Sequence, residues 1–176
     1  ARRLAEQVTQ IEAVYPKIGP AAAELSALAA SAQGYLDQAT AAMNGVIADV
    51  AAYPKDVPMD DLVKDAEFDI QMMVVKVQQP VKRILERAAV ADKLPVQASN
   101  VYATVAALTD WEEAAGRLGD LSDLLNAAQG RRDAAKQELE AAHKATEDML
   151  EIRRKVGEVL AEVQRRQSDE KAQQES

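Results

Sequence analysis

The stretch from Leu121 to Val163 constrains this chain most. Apolar residues recur there at steps of three and four: Leu121, Leu125, Ala128, Ala135, Leu139, Ala142, Met149, Ile152, Val156, Leu160 and Val163. That spacing is the period of an amphipathic helix with a narrow apolar seam. The intervening positions are mostly charged or Gln, and no proline interrupts them. At about 1.5 Å per residue, such a helix is a rod of about 65 Å that cannot bury its stripe alone. Partner helices must come from the rest of the chain.

The preceding sequence supplies them. Leu4, Val8, Ile11 and Tyr15 predict a short first helix over 2–15, which Pro16, Gly19 and Pro20 are expected to break, by a turn or by a kink between two coaxial segments. Leu25, Leu28, Ala32, Leu36, Ala39, Met43, Val46, Val50 and Tyr53 predict a second over 20–52. Pro54 and Pro58 mark a loop, and Asp60 and Asp61 suit the cap and first turn of a third helix over 60–91. Its expected stripe is Leu62, Ala66, Ile70, Met73, Val77, Val81, Ile84 and Ala88, with a kink at Pro80. Residues 92–98 read as a loop, with Ser99 or Asn100 as the next cap. Val101, Val105, Leu108, Trp111, Ala115 and Leu118 continue in phase with Leu121 and Leu125. That phase favours one helix across Gly116 and Gly119 over a reversal there. The expectation is an all-α, elongated antiparallel bundle or coiled coil of four to five helices with a long C-terminal helix. It forms a single domain over 1–167, followed by a polar, disordered tail over 168–176.

Composition narrows the function. The formal net charge of −8 disfavours a nucleic-acid binder, and the 3 % aromatic content offers few stacking surfaces. The absence of cysteine removes thiol chemistry and Cys-based metal sites. No apolar run is long enough for a membrane span and no signal peptide is evident, so a soluble chain is expected. It begins with Ala1 rather than Met, as a processed chain or a piece of a longer one would.

Few residues point to chemistry. His143 follows Glu140 by three, half of a di-metal motif, but no second His exists. Beside the seam, the pair reads as a solvated flank. Asp56, Asp60, Asp61, Asp65, Glu67 and Asp69 lack the pattern of a calcium loop. They read as a capped helix start, with an acidic docking corner as the second reading. Lys76, Lys82, Arg83 and Arg87 form a basic patch, read first as intramolecular ion pairing and second as an anion site. Trp111 reads first as a core anchor and second as an exposed partner hot spot, and Met72 and Met73 read first as filler around Pro80 and second as a soft binding face. No catalytic constellation, phosphate loop or cofactor fingerprint is present.

The leading expectation is a non-enzymatic structural or interaction module without cofactors. It binds a protein partner or itself through helix packing, with Ile152, Val156, Leu160 and Val163 as the accessible end of the seam. Membrane contact is not favoured. Two alternatives are the soluble form of a membrane-active helical protein, releasing Phe68–Val77, and a ligand-sensing receptor bundle.

Overall fold

Three helices and a 3-10 turn precede a long C-terminal helix in the computed structural model, which describes residues 1–175. They are α1 (Arg2–Ala52), α2 (Asp61–Ala91), α3 (Leu94–Tyr102), the turn Val105–Ala107, and α4 (Trp111–Glu175). No strand occurs among the described residues.

The helices form where buried residues recur every seven positions. In α1 these are Ile11, Ile18, Leu25, Ala32, Ala39 and Val46, with Tyr53 in step just past its end. In α2 they are Val63, Ile70, Val77, Ile84 and Ala91, and in α4 Ala114, Leu121, Ala128, Ala135, Ala142, Met149 and Val156. A seven-residue repeat keeps one stripe facing its neighbours along a helix that slightly underwinds. Alanine at many of these positions lets helix backbones approach closely.

The chain's contacts divide it into two compact units. The first comprises Ala1–Ala32 and Val81–Leu139. Its core contains Ile11, Ile18, Leu25, Ile84, Leu94 and Leu121. Arg132 and Lys136 of α4 pair with Glu24 of α1, and Ser26 donates to Asp92. Tyr102 stacks on Tyr15 with ring centroids 4.1 Å apart and donates its hydroxyl to Glu12 at 2.7 Å. That bond to a carboxylate holds the Tyr102 phenol above its ordinary pKa.

The second unit comprises Gln33–Pro80 and the chain from Glu140 onward. Val46, Ile70, Val77, Met149 and Val156 fill its core. Thr146 is its buried polar residue, and its hydroxyl donates to the Ala142 carbonyl at 2.8 Å. Gly45 leaves room for the Arg153 guanidinium, which lies where a Cβ would be. In the loop after α1, the buried Tyr53 hydroxyl donates to the Pro58 carbonyl and accepts the Asp60 N–H. Asp60 Oδ1 accepts the Leu62 N–H at 2.8 Å, capping α2 as expected.

Several sequence expectations are corrected. The chain does not break at Pro16–Pro20: both prolines lie inside α1. Each costs about 3 kcal/mol in a helix interior, and the burial of Ile11, Ile18, Ala21, Ala22 and Leu25 around them opposes that cost. The loop expected over 92–98 is largely α3, with Pro95 in its first turn, where a proline is tolerated. The helix expected from Val101 begins at Trp111 instead, capped by Asp110 Oδ1 on the Glu112 N–H. From there α4 crosses Gly116 and Gly119 unbroken. The tail expected to be disordered is helical to Glu175, with Arg165 paired to Glu162 and Asp169; Ser176 lies outside the described residues.

Candidate interaction surface

Helix α2 carries two apolar stripes. Val63, Ala66, Ile70, Val74 and Val77 face the core of the second unit. On the opposite face stand Phe68, Met72 and Val75, at spacings of four and three, with relative exposures of 67 %, 59 % and 42 %. On a helix of 3.6 residues per turn these three share one side. A single exposed apolar residue needs no explanation, but three in line on a solvent face do.

Charges flank that outer stripe. Asp69 and Lys76 are exposed, lie seven residues apart and so share one flank. Neither takes part in an ion pair among the described residues. Beside the stripe, Leu62, Asp65, Ala66, Asp69, Ile152 and Lys155 line an open groove of about 370 Å³ between α2 and α4. Its floor is apolar, its α2 wall acidic and its α4 wall carries one lysine.

The seam residues expected to await a partner lie elsewhere. Val156 and Leu160 are buried within the second unit, while Ile152 and Val163 are partly covered. Val156 and Leu160 are therefore not free for docking, because the second unit already buries them. Phe68 and Met72, not this seam, offer the larger exposed apolar side chains.

The basic patch separates into individual roles. Arg87 donates through Nε and Nη2 to both Glu138 oxygens, at 3.2 and 3.0 Å, and Arg83 approaches the same carboxylate at 3.3 Å. Donating to the Glu138 carboxylate raises the Arg87 pKa. Arg83 and Arg87 are thus engaged in their own unit, as the ion-pairing reading expects. Lys82 and Lys76 are exposed, and Lys76 belongs to the second unit.

The remaining candidates are structural. His143 stacks on Tyr35 with centroids 4.8 Å apart, and its Nε2 lies 3.3 Å from Glu147. Among the described residues no three His, Asp or Glu side chains converge as a metal site. Trp111 is not a core anchor: it opens α4 with 39 % exposure, and the Arg3 guanidinium lies 5.1 Å over its ring. Met72 is exposed and does not fill space around Pro80, which is itself buried.

Surface ion pairs shift a few acids. The Lys136 ammonium hydrogen-bonds Glu24 and holds its carboxyl below the ordinary value, and Arg154 and Arg165 do the same for Glu151 and Glu162. Among the described residues no helix is long and apolar enough to cross a membrane. Comparison with protein-family models, curated proteins and solved structures returned no match for this chain.

Proposed function

We propose that this chain is a non-enzymatic helical interaction module whose docking surface is the outer face of α2. The observation that carries the reading is the Phe68–Met72–Val75 stripe, exposed on a helix whose opposite stripe already satisfies the core. Burying apolar area is the main driving term in association, and an aromatic with a flexible methionine beside it suits a docking site.

The scaffold under that surface is an antiparallel coiled coil within each unit. The seven-residue burial repeat supports this reading. In it α1 and α4 lie parallel, since the residue numbers at their contacts rise together, and the antiparallel member is α2. In the first unit Arg3 meets Trp111 and Glu24 meets Arg132. In the second, Tyr35 meets Thr146, Gly45 meets Arg153 and Asp49 meets Gly157. The two helices run in the same direction, and α2 returns against them.

A photo-crosslinking side chain at position 68, introduced into cells expressing the chain, tests the reading. The same group at Lys144, which is exposed on α4, is the control. Protein adducts from position 68 and none from 144 are expected. Equal labelling at the two sites, or none at either, would contradict a dedicated surface on α2.

A further inference from the structure

The charge order along α2 identifies an occupant for its outer face. The flank carries an acid, Asp69, toward the N-terminus and a cation, Lys76, toward the C-terminus. Both are exposed and have no ion-pair partner among the described residues. We propose that this face pairs with the same face of a second copy of the chain, antiparallel, across a two-fold axis between residues 73 and 74. The proposal rests on the interaction-module reading and names its partner.

Reversing one helix against its copy exchanges the order of the flanking charges. Asp69 of each copy then comes beside Lys76 of the other, twice per dimer, as two-fold symmetry requires. Met72 lies on Val75 of the other copy, and Phe68 covers Gln79. In antiparallel helix pairs, residues on one flank meet residues on that same flank, and Asp69 and Lys76 share a flank. In a parallel pairing each flank faces the opposite flank of the copy, so Asp69 and Lys76 would not meet. The Asp69–Lys76 pairing therefore belongs to the antiparallel arrangement alone, which makes this face complementary to itself.

The same geometry sets the strength. Three apolar side chains per copy form a small interface, in the class of weak and reversible contacts. Each copy carries a net charge of −8, and this repulsion is screened beyond about 8 Å at physiological ionic strength. A dimer that forms in concentrated solution and dissociates on dilution is the expected species.

Analytical ultracentrifugation of the full chain at physiological ionic strength provides the test, using Asp69→Lys, Lys76→Glu and their equimolar mixture. The wild type should show a concentration-dependent dimer. Each single variant sets like charges against each other at both symmetric sites and should weaken self-association about tenfold or more. The mixture should recover it. In the heterodimer the lysine introduced at position 69 of one variant meets the glutamate introduced at position 76 of the other, and the native Asp69 and Lys76 meet at the second site. Both substitutions lie on the solvent face, so unchanged thermal unfolding of the variants separates lost pairing from lost folding. A wild type that stays monomeric to about 1 mM, or a mixture no better than the single variants, overturns the proposal. Adducts from position 68 that contain only other proteins would overturn the second copy while leaving the interaction-module reading standing. No adducts and no dimer would remove both.

Discussion

Replacing Gly116, Gly119 and Gly130 by alanine probes whether α4 runs as one helix, because all three lie inside it. None has a positive φ, and a Cβ built at each meets nothing within 4 Å. Alanine then adds no clash, and it lowers the entropy the chain loses on folding. In a helix interior each change is worth about 0.5–1 kcal/mol. The triple variant gains about 1.5–3 kcal/mol if the effects add. For a chain of this size that corresponds to about 3–12 °C in Tm. Thermal and urea unfolding followed by far-UV circular dichroism reads the shift, with an unchanged denaturant slope. Gly45→Ala is the internal contrast. Its Cβ would lie 2.5 Å from Arg153 Nε, so the exposed guanidinium must swing away, and the gain should be smaller. If any of the three open glycines destabilises by more than about 1 kcal/mol on becoming alanine, that position needs a left-handed turn or a close neighbour. The unbroken helix would then be wrong.

Other perturbations discriminate parts of the account. Leu121→Ala removes a fully buried side chain and should cost about 2–5 kcal/mol, whereas Phe68→Ala on the outer face should stay within about 0.5 kcal/mol in dilute solution; urea titration compares them. Thr146→Val should fall within about 1 kcal/mol of wild type, because the buried hydroxyl donates to a carbonyl of its own helix. Glu24, Glu151 and Glu162 titrate lower folded than unfolded. They therefore favour the folded state above their ordinary value of 4.5, and that contribution is lost as pH falls through the lowered folded values. Urea midpoints measured from about pH 7 to about pH 3 should decline on the acid side, and less steeply in Lys136→Met, which removes the principal partner of Glu24. A midpoint that rises on acidification would contradict these pairs.

The long-range apolar periodicity was legible from the residues alone, and the local punctuation misled. The stripe of α4 and the capping role of Asp60 follow from spacing and side-chain chemistry. Pro16 and Pro20 carry a strong local signal for a break, but the buried residues on both sides of them form one stripe in one helix. Pro95 carries the same signal, yet proline fits the first turn of a helix, and α3 begins there. The outer face of α2 is hidden in the sequence for a different reason. Two stripes at helical spacing coexist on this helix, and periodicity cannot say which faces inward. Phase places Leu62 and Met73 in the core, but Leu62 is exposed and Met73 only partly covered. The seam at Ile152–Val163 shows the converse: its apolar character is real, and the second unit's own packing buries Val156 and Leu160. That cover is visible only once the chain's own helices are placed.

The two faces of α2 are the centre of the account, and single-cysteine reactivity measures them directly. The chain contains no cysteine, so Val75→Cys and Val77→Cys each introduce one thiol, two residues apart on opposite faces. Val75 is exposed and Val77 fully buried. In dilute native protein a thiol reagent should modify position 75 at least about tenfold faster than position 77, which reacts only when the core opens. Equal rates, or a faster reaction at position 77, would mean that α2 does not present Phe68, Met72 and Val75 outward.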